Sequence, residues 1–436
     1  VTELKRHIAA RIAATGPMTL AEYMATCLMH PELGYYATRD PFGAQGDFTT
    51  APEISQMFGE VIGLCLAQTW LDQGQPASFV LAELGPGRGT LMADILRATK
   101  GVPGFLEAAA VHLVETSPAL RDVQRRTLES HAITWHDTVA DLPDAPLYLV
   151  ANEFFDALPI RQFQRDGDGW RERMIALREG ALSFGLGAPV APPELTDRLA
   201  DTSDGDIVET CAPGRAIAGE IGARIAARGG AALIVDYGGW RSLGDTFQAV
   251  RGHAPTDPLE APGEADLTAH VDFEALARAA SPAAHAQLIP QGTLLRHLGI
   301  EARAEALARN LDGPARENHL AAFRRLTDRG EMGTLFKVLA LHPPTPHRRP
   351  ERSHDTGDPD LGQSRAPAPR VFHPAGRGVV GGVLGAELRA GILGSIRDRD
   401  DQPRPRRPRD GGRARKPRDP ASGPFGGCGP RHRAPH

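Results

Sequence analysis

Four short apolar runs between residues 78 and 155 restrict this chain more than any other feature. They read SFVLAEL (78–84), AAVHLVET (109–116), ITWHD (133–137) and PLYLVANEFF (146–155). Short runs rich in Val, Leu and Ile and bounded by turn residues are strands. Helical stretches follow the first two, TLMADILRATK (90–100) and PALRDVQRRTLES (118–130), with Pro118 placed for a first turn. Strands alternating with such helices imply an α/β fold, a doubly wound parallel sheet with helices on both faces. Ligands of such sheets bind beyond the carboxyl ends of the strands, which makes the residues ending each run the first candidates for a site.

The first run ends in ELGPGRGT (83–90). A nucleotide phosphate loop needs Gly-Lys-Ser/Thr at its close, and no lysine precedes Thr90. A dinucleotide fold wants G-x-G-x-x-G, with the third glycine where Thr90 stands; here the spacing is G-x-G-x-G at Gly85, Gly87 and Gly89. Glu83, two residues before the first glycine, is an odd neighbour for a phosphate. S-adenosylmethionine carries no phosphate. Its turn must let backbone abut the methionine and ribose portions while a carboxylate handles the positive end, and this string suits that task better. Glu115, ending the second run, is placed to accept ribose hydroxyls, a placement shared with NAD folds. Asp137, ending the third, is placed to accept from the adenine amino group. Any one of these acids alone reads as well as a solvated loop residue or a helix cap. Three in register at successive strand ends favour the ligand.

After residue 160 the rhythm changes. RQFQRDGDGWRERMIALREGALSFGLG (161–187) reads as hairpins laid over the sheet, GRAIAGEIGARIAARGG (214–230) as a helix, and AALIVDYGG (231–239) as a returning strand. PARENHLAAFRRLTD (314–328) is a helix and GTLFKVLALH (333–342) a closing strand. Before residue 76 the chain reads as helices, with Thr19 an N-cap, joined by a loop rich in Gly, Asp and Thr. The start has no apolar block of a signal peptide; Lys5, Arg6 and Arg11 leave a transit peptide open, and a folded helix is the preferred reading.

Composition enters at the far end. Residues 343–436 hold 16 Pro, 15 Gly and 18 Arg, about half of that segment, which cannot bury enough apolar surface to fold and is expected to be disordered. It carries 19 Lys+Arg against 10 Asp+Glu, whereas the preceding residues carry 30 against 44. The tail reads either as a basic nucleic-acid arm or as out-of-frame translation of GC-rich DNA. Its abrupt onset after a finished strand favours the second, and no function is assigned to it. The acidic body is not built for a nucleic-acid backbone, no apolar run is long enough to insert in a membrane, and four scattered cysteines suggest neither zinc nor disulfides.

GYYATRDPFGAQGDFTTAPEISQMFGE (34–60), ELGPGRGT, HLVETSP (112–118) and ANEFFDALP (151–159), with the strand at 231–239 and ADLTAHVDF (265–273), together resemble the MidA family of S-adenosylmethionine-dependent methyltransferases. The resemblance runs from about residue 3 to 341. It implies a class I methyltransferase, Rossmann-like, with an N-terminal helical lid over 1–75, a methyltransferase domain over 76–341 carrying insertions after 160, and the tail over 342–436. It further implies protein-arginine N-methylation, symmetric dimethylation of an arginine in a respiratory complex I subunit, and a role in that complex's assembly. The compartment would be the cytoplasm for a bacterial chain and the mitochondrial matrix for a eukaryotic one. A methyltransferase on another protein nitrogen or a small molecule, and a non-catalytic assembly factor that binds the cofactor, are the alternatives.

A guanidinium is protonated at all accessible pH, so its nitrogen is a poor nucleophile until carboxylates orient it and localise its charge. Within ANEFFDALP, Glu153 is the expected principal carboxylate and Asp156 the second, with Asn152 at the cofactor edge. The alternative is that EFFD merely turns the chain while Phe154 and Phe155 pack. In the lid, Asp47 and Glu53 are further candidates, Glu53 either stabilising the helix that Pro52 begins or touching a ligand. Tyr36 either closes over the sulfonium or packs in the core. Asp266, His270 and Asp272 read as a capping and turn element rather than a metal site. Asp236-Tyr237-Gly238 ends a strand, with no role assigned.

Overall fold

A computed structural model describes residues 2–38 and 49–344. The expectations for Asp47 and for the tail from 345 onward lie outside the described residues. Six strands form the body of the central sheet: β1 Phe79–Leu84, β2 Ala109–Val114, β3 Ile133–His136, β4 Leu147–Asn152, β5 Gly230–Gly239 and β6 Phe336–His342. Their order is β3-β2-β1-β4-β5-β6. The first five are parallel, as the alternation of strands and helices predicts. β6 runs antiparallel to β5, because the short helix Met332–Leu335 delivers the chain to the carboxyl edge, where Phe336 meets Tyr237. The order reverses between β1 and β4, and the crevice at such a reversal is where open α/β sheets bind ligands.

All residues of β1 and β4 are buried, and their period-2 alternation sorts them between two cores. Phe79 and Leu81, with Tyr148 and Val150, face helices α3 (Gln56–Asp72) and α4 (Thr90–Thr99). Val80, Ala82 and Leu84, with Leu147, Leu149 and Ala151, face the helix Ala212–Arg228. On this register Glu83 falls on the α3–α4 side, beneath the start of α4. Gly59 and Gly63, one turn apart on α3, let that helix lie on α4: a Cβ at Gly59 would stand 2.5 Å from Asp94 Cβ.

Residues 161–210 build a second, antiparallel sheet instead of merely covering the first. Arg161–Asp166, Gly169–Arg178, Ala181–Val190 and Ile207–Thr210 are its long members, and Met18–Thr19 adds to Gly169–Arg178. The helices Glu3–Thr15 and Leu20–Met29 pack their apolar sides (Leu4, Ile8, Tyr23, Met24) against Ile160, Ile175, Phe247 and Leu267 in a third core. Thr19 caps the second of these helices in a reciprocal capping box with Glu22. Residues before 76 thus serve two layers: the first helices join the inserted strands, while α3 belongs to the central sheet.

Candidate active site

The glycine turn departs from β1 with Gly85 still bonded across to Val114 (N–H to O, 3.0 Å). Gly85, Gly87 and Gly89 have φ of +57°, +52° and +82°, left-handed backbone that side chains strain to adopt. A Cβ at Gly85 would stand 2.8 Å from the Phe154 ring. Gly89 is the N-cap of α4 and brings no capping side chain. The buried Glu83 lies beneath this helix start, where the Met92 N–H favours its charged form. Its Oε2 has no partner among the described residues, and burial pushes its carboxyl up to about 8.

Beside this turn, at the reversal between β1 and β4, opens a cleft of about 360 Å³. Glu53, Glu83, Gly85, Gly87, Arg88, Thr90, Asn152 and Glu153 are among its lining residues. The segment that arrives over it is pinned at both sides. Thr90 Oγ1 donates to Glu53 Oε1 at 2.5 Å, and the Ala51 N–H donates to Glu153 Oε1 at 3.0 Å. Thr90 is therefore the residue that ties the lid segment to the glycine turn, and Glu53 serves the cleft besides standing in the first turn of the short helix Ala51–Ile54.

At the end of β4 the backbone turns left-handed at Glu153, φ +51°, an unusual state for a residue with a side chain. The hydrogen bonds to Glu153, from Ala51 N–H and from Asn152 Nδ2 (3.1 Å), both fall on Oε1, so Oε2 has none among the described residues. Burial, with the Asp156 charge adding to it, pushes its carboxyl up to about 7. Asp156 is 6% exposed, and burial raises it to about 6. Among the described residues its Oδ1 and that of the buried Asn152 have no partner. Orphaned buried acceptors are rare in native proteins and ask for a ligand.

Glu115 is buried, its Oε1 accepting the Ser117 N–H (2.8 Å) and its Oε2 accepting from Gln124 Nε2 (3.3 Å); burial raises its carboxyl. Gln124, absent from the sequence reading, is a fully buried hub of helix α5 (Pro118–Thr127). It also donates to Gly87 O (2.8 Å) and accepts from Trp135 Nε1 (2.8 Å). Nothing in the sequence singles it out, since a glutamine on an arginine-rich helix reads as surface. Asp137 stands at the end of β3 but pairs with Arg121 (2.6 Å), its side chain 75% exposed. Tyr36 sits in the third core and points its hydroxyl at Asp266 Oδ1 (3.3 Å). Asp272 caps the helix Phe273–Ala279 through the Ala275 N–H (2.9 Å), as the turn reading expects. The structure thus gathers Glu53, Glu83, Asn152, Glu153 and the glycines around one cleft, with Glu115 braced beside it by Gln124. Asp137, paired with Arg121 at the end of β3, and Tyr36, against Asp266, are not among the residues lining that cleft.

The donor set fits a cationic ligand. Among the described lining residues Glu53, Glu83 and Glu153 outnumber the one cation, Arg88, a poor setting for a pyrophosphate and a suitable one for a sulfonium and an ammonium group. Residues 61–290 match a family described as putative S-adenosyl-L-methionine-dependent methyltransferases. The chain is 38% identical over 386 residues to the mitochondrial protein arginine methyltransferase NDUFAF7 of Bos taurus, spanning 82% of this chain and 86% of the bovine protein. The Homo sapiens protein of that name is 38% identical over 378 residues, with 80% of this chain and 85% of its own length covered. A Burkholderia thailandensis protein solved with S-adenosyl-homocysteine superposes with a TM-score of 0.67 at 30% identity, over 78% of this chain and 91% of its own. Turn, cleft and relatives agree, and the chain belongs to the MidA family of S-adenosyl-L-methionine-dependent methyltransferases.

Proposed function

We propose that this methyltransferase acts on arginine in a protein, and that the acceptor is a subunit of respiratory complex I or its bacterial equivalent. The relatives' name supports arginine, and the observation that carries the reading is the pair Glu153 and Asp156. Glu153 lines the cofactor cleft with both of its hydrogen bonds among the described residues on Oε1, and Asp156 is buried three residues on with Oδ1 unpartnered among those residues. When bound, S-adenosyl-L-methionine supplies a methyl group on a sulfonium centre. The glycine turn and Glu83 would hold its methionine end, with Glu115 at the ribose and Asp137 at the adenine. Glu153 and Asp156 orient the guanidinium and draw its positive charge away from the nitrogen that takes the methyl group. That nitrogen gives up a proton, and Glu153 Oε2, raised to about 7, holds it. Residues 49–54 close over the site and keep water out, which strengthens both carboxylates' hold on the cation. The setting would be the mitochondrial matrix or the bacterial cytoplasm.

The test incubates the full chain with methyl-labelled S-adenosyl-L-methionine and purified complex I subunits, followed by acid hydrolysis and amino-acid analysis. Label in methylarginine, with the symmetric dimethyl form at completion, is expected. Label in lysine or in a small molecule overturns the arginine reading.

A further inference from the structure

The Asp236-Tyr237-Gly238 stretch at the end of β5 lies behind the reactive loop, not in the cleft. The parallel ladder of β4 and β5 runs to Asn152 opposite Val235, and the Glu153 N–H still reaches Val235 O at 2.9 Å. There the backbone turns left-handed, and the next three amides lose any strand partner. All three converge on one atom: Phe154, Phe155 and Asp156 donate their N–H groups to Asp236 Oδ2 at 3.2, 3.0 and 3.3 Å. Asp236 Oδ1 takes the Tyr237 N–H at 3.0 Å, and the residue is wholly buried. Successive amides around a left-handed residue form an anion-binding concavity. Here the chain fills it with its own carboxylate.

The neighbours complete the clamp. The Tyr237 hydroxyl lies against the Asp156 carboxylate without forming a well-aligned hydrogen bond to it. Gly238 lets Val271–Asp272 pair alongside, since a Cβ there would stand 2.2 Å from Val271 O. The Ala269 N–H then holds Asp156 O at 3.0 Å. Four donors and one fully buried carboxylate leave the 153–156 loop a single arrangement.

We propose that Asp236 is a positioning residue for methyl transfer: it holds Glu153 left-handed and Asp156 buried by binding the three successive amides that follow Glu153, without touching cofactor or acceptor. The proposal rests on Glu153 facing the transferred group. It predicts that Asp236 governs how the site treats a cation at the reacting position, and not how it holds the rest of the cofactor.

The experiment titrates the full chain at pH 8 with S-adenosyl-homocysteine, neutral at sulfur, and with sinefungin, which carries an amine there. The unaltered protein should prefer sinefungin by about tenfold or more, as expected for a charge-assisted hydrogen bond. Glu153→Gln should lose that preference, and so should Asp236→Asn, which keeps shape but replaces one acceptor oxygen by a donor. A purely structural role would weaken both ligands equally and leave their ratio unchanged. Loss in Glu153→Gln with the ratio intact in Asp236→Asn overturns the role of Asp236 alone. No preference in the unaltered protein, or a preference that survives Glu153→Gln, overturns the assignment of Glu153 and this proposal with it. If Asp236→Asn does not fold, amide exchange in the unaltered protein decides. Protection of residues 154–156 within about tenfold of β4 supports the clamp, and rapid exchange overturns it.

Discussion

At Glu153 the backbone, the burial and the neighbouring charge all work against stability, a cost in keeping with the chemistry proposed for it. A left-handed non-glycine residue costs about 1–3 kcal/mol, retained only where its surroundings over-determine it. Glu153 and Asp156 are both held above their ordinary range, first by burial, to about 7 and about 6. A carboxyl whose folded value lies above its unfolded value weakens the fold progressively as pH rises through that interval, and the weakening is complete above the folded value. On the proposed reaction, the same deprotonation creates the form that would bind a guanidinium. Methyl transfer should therefore rise between about pH 6 and 7 and level off near 8, measured as kcat/KM against pH. An acid limb centred near 4 would mean that the carboxylates are solvated. Glu153→Gln should lower transfer by at least about a hundredfold while stabilising the ligand-free protein at pH 8 by about 1 kcal/mol. That gain is small because Glu153 lines the cleft and is only half-buried. Thermal melts at pH 5 and pH 8 check it, the gain being confined to the higher pH.

The elements carry the cofactor half of the site. Helix α5 supplies Gln124, whose amide bridges Gly87 O, Glu115 Oε2 and Trp135 Nε1, joining the glycine turn to the ends of β2 and β3. Gln124→Leu keeps the volume and strands three polar groups, those of Gly87 and Glu115 buried. It should cost about 1–3 kcal/mol of stability for the unsatisfied groups and weaken S-adenosyl-homocysteine by about tenfold in a calorimetric titration. Unchanged affinity would show that the turn keeps its shape unaided. These helices were legible in the sequence because their signals are local: Thr19 and Ser117 cap, Pro118 opens a first turn, and apolar residues repeat at helical spacing. Gln124 was not legible, because its importance depends on three partners that come from other elements.

Across the molecule, the cores formed by the described residues close at Leu341, the last apolar residue of β6 to enter them. A chain ending at Pro344 should melt within a few degrees of the full chain and bind S-adenosyl-homocysteine within about twofold; a larger loss would assign the removed segment a part in the fold. The α/β class, the strand ends bearing Glu83, Glu115, Asp137 and Glu153, and the glycine turn could all be read from residue order, since each follows from periodicity and backbone sterics within a few residues. The cofactor followed too, because Thr90 and the missing lysine exclude phosphate designs locally. Side-chain partners drawn from other elements left no such trace: Asp137 pairs with Arg121, Tyr36 with Asp266 and Thr90 with Glu53. Asp236, 80 residues or more from the amides it binds, passed as the end of a strand. Local preferences act over one or two turns of chain and leave a written trace; which acid meets which donor depends on how strands are ordered and helices docked, and that is settled by packing.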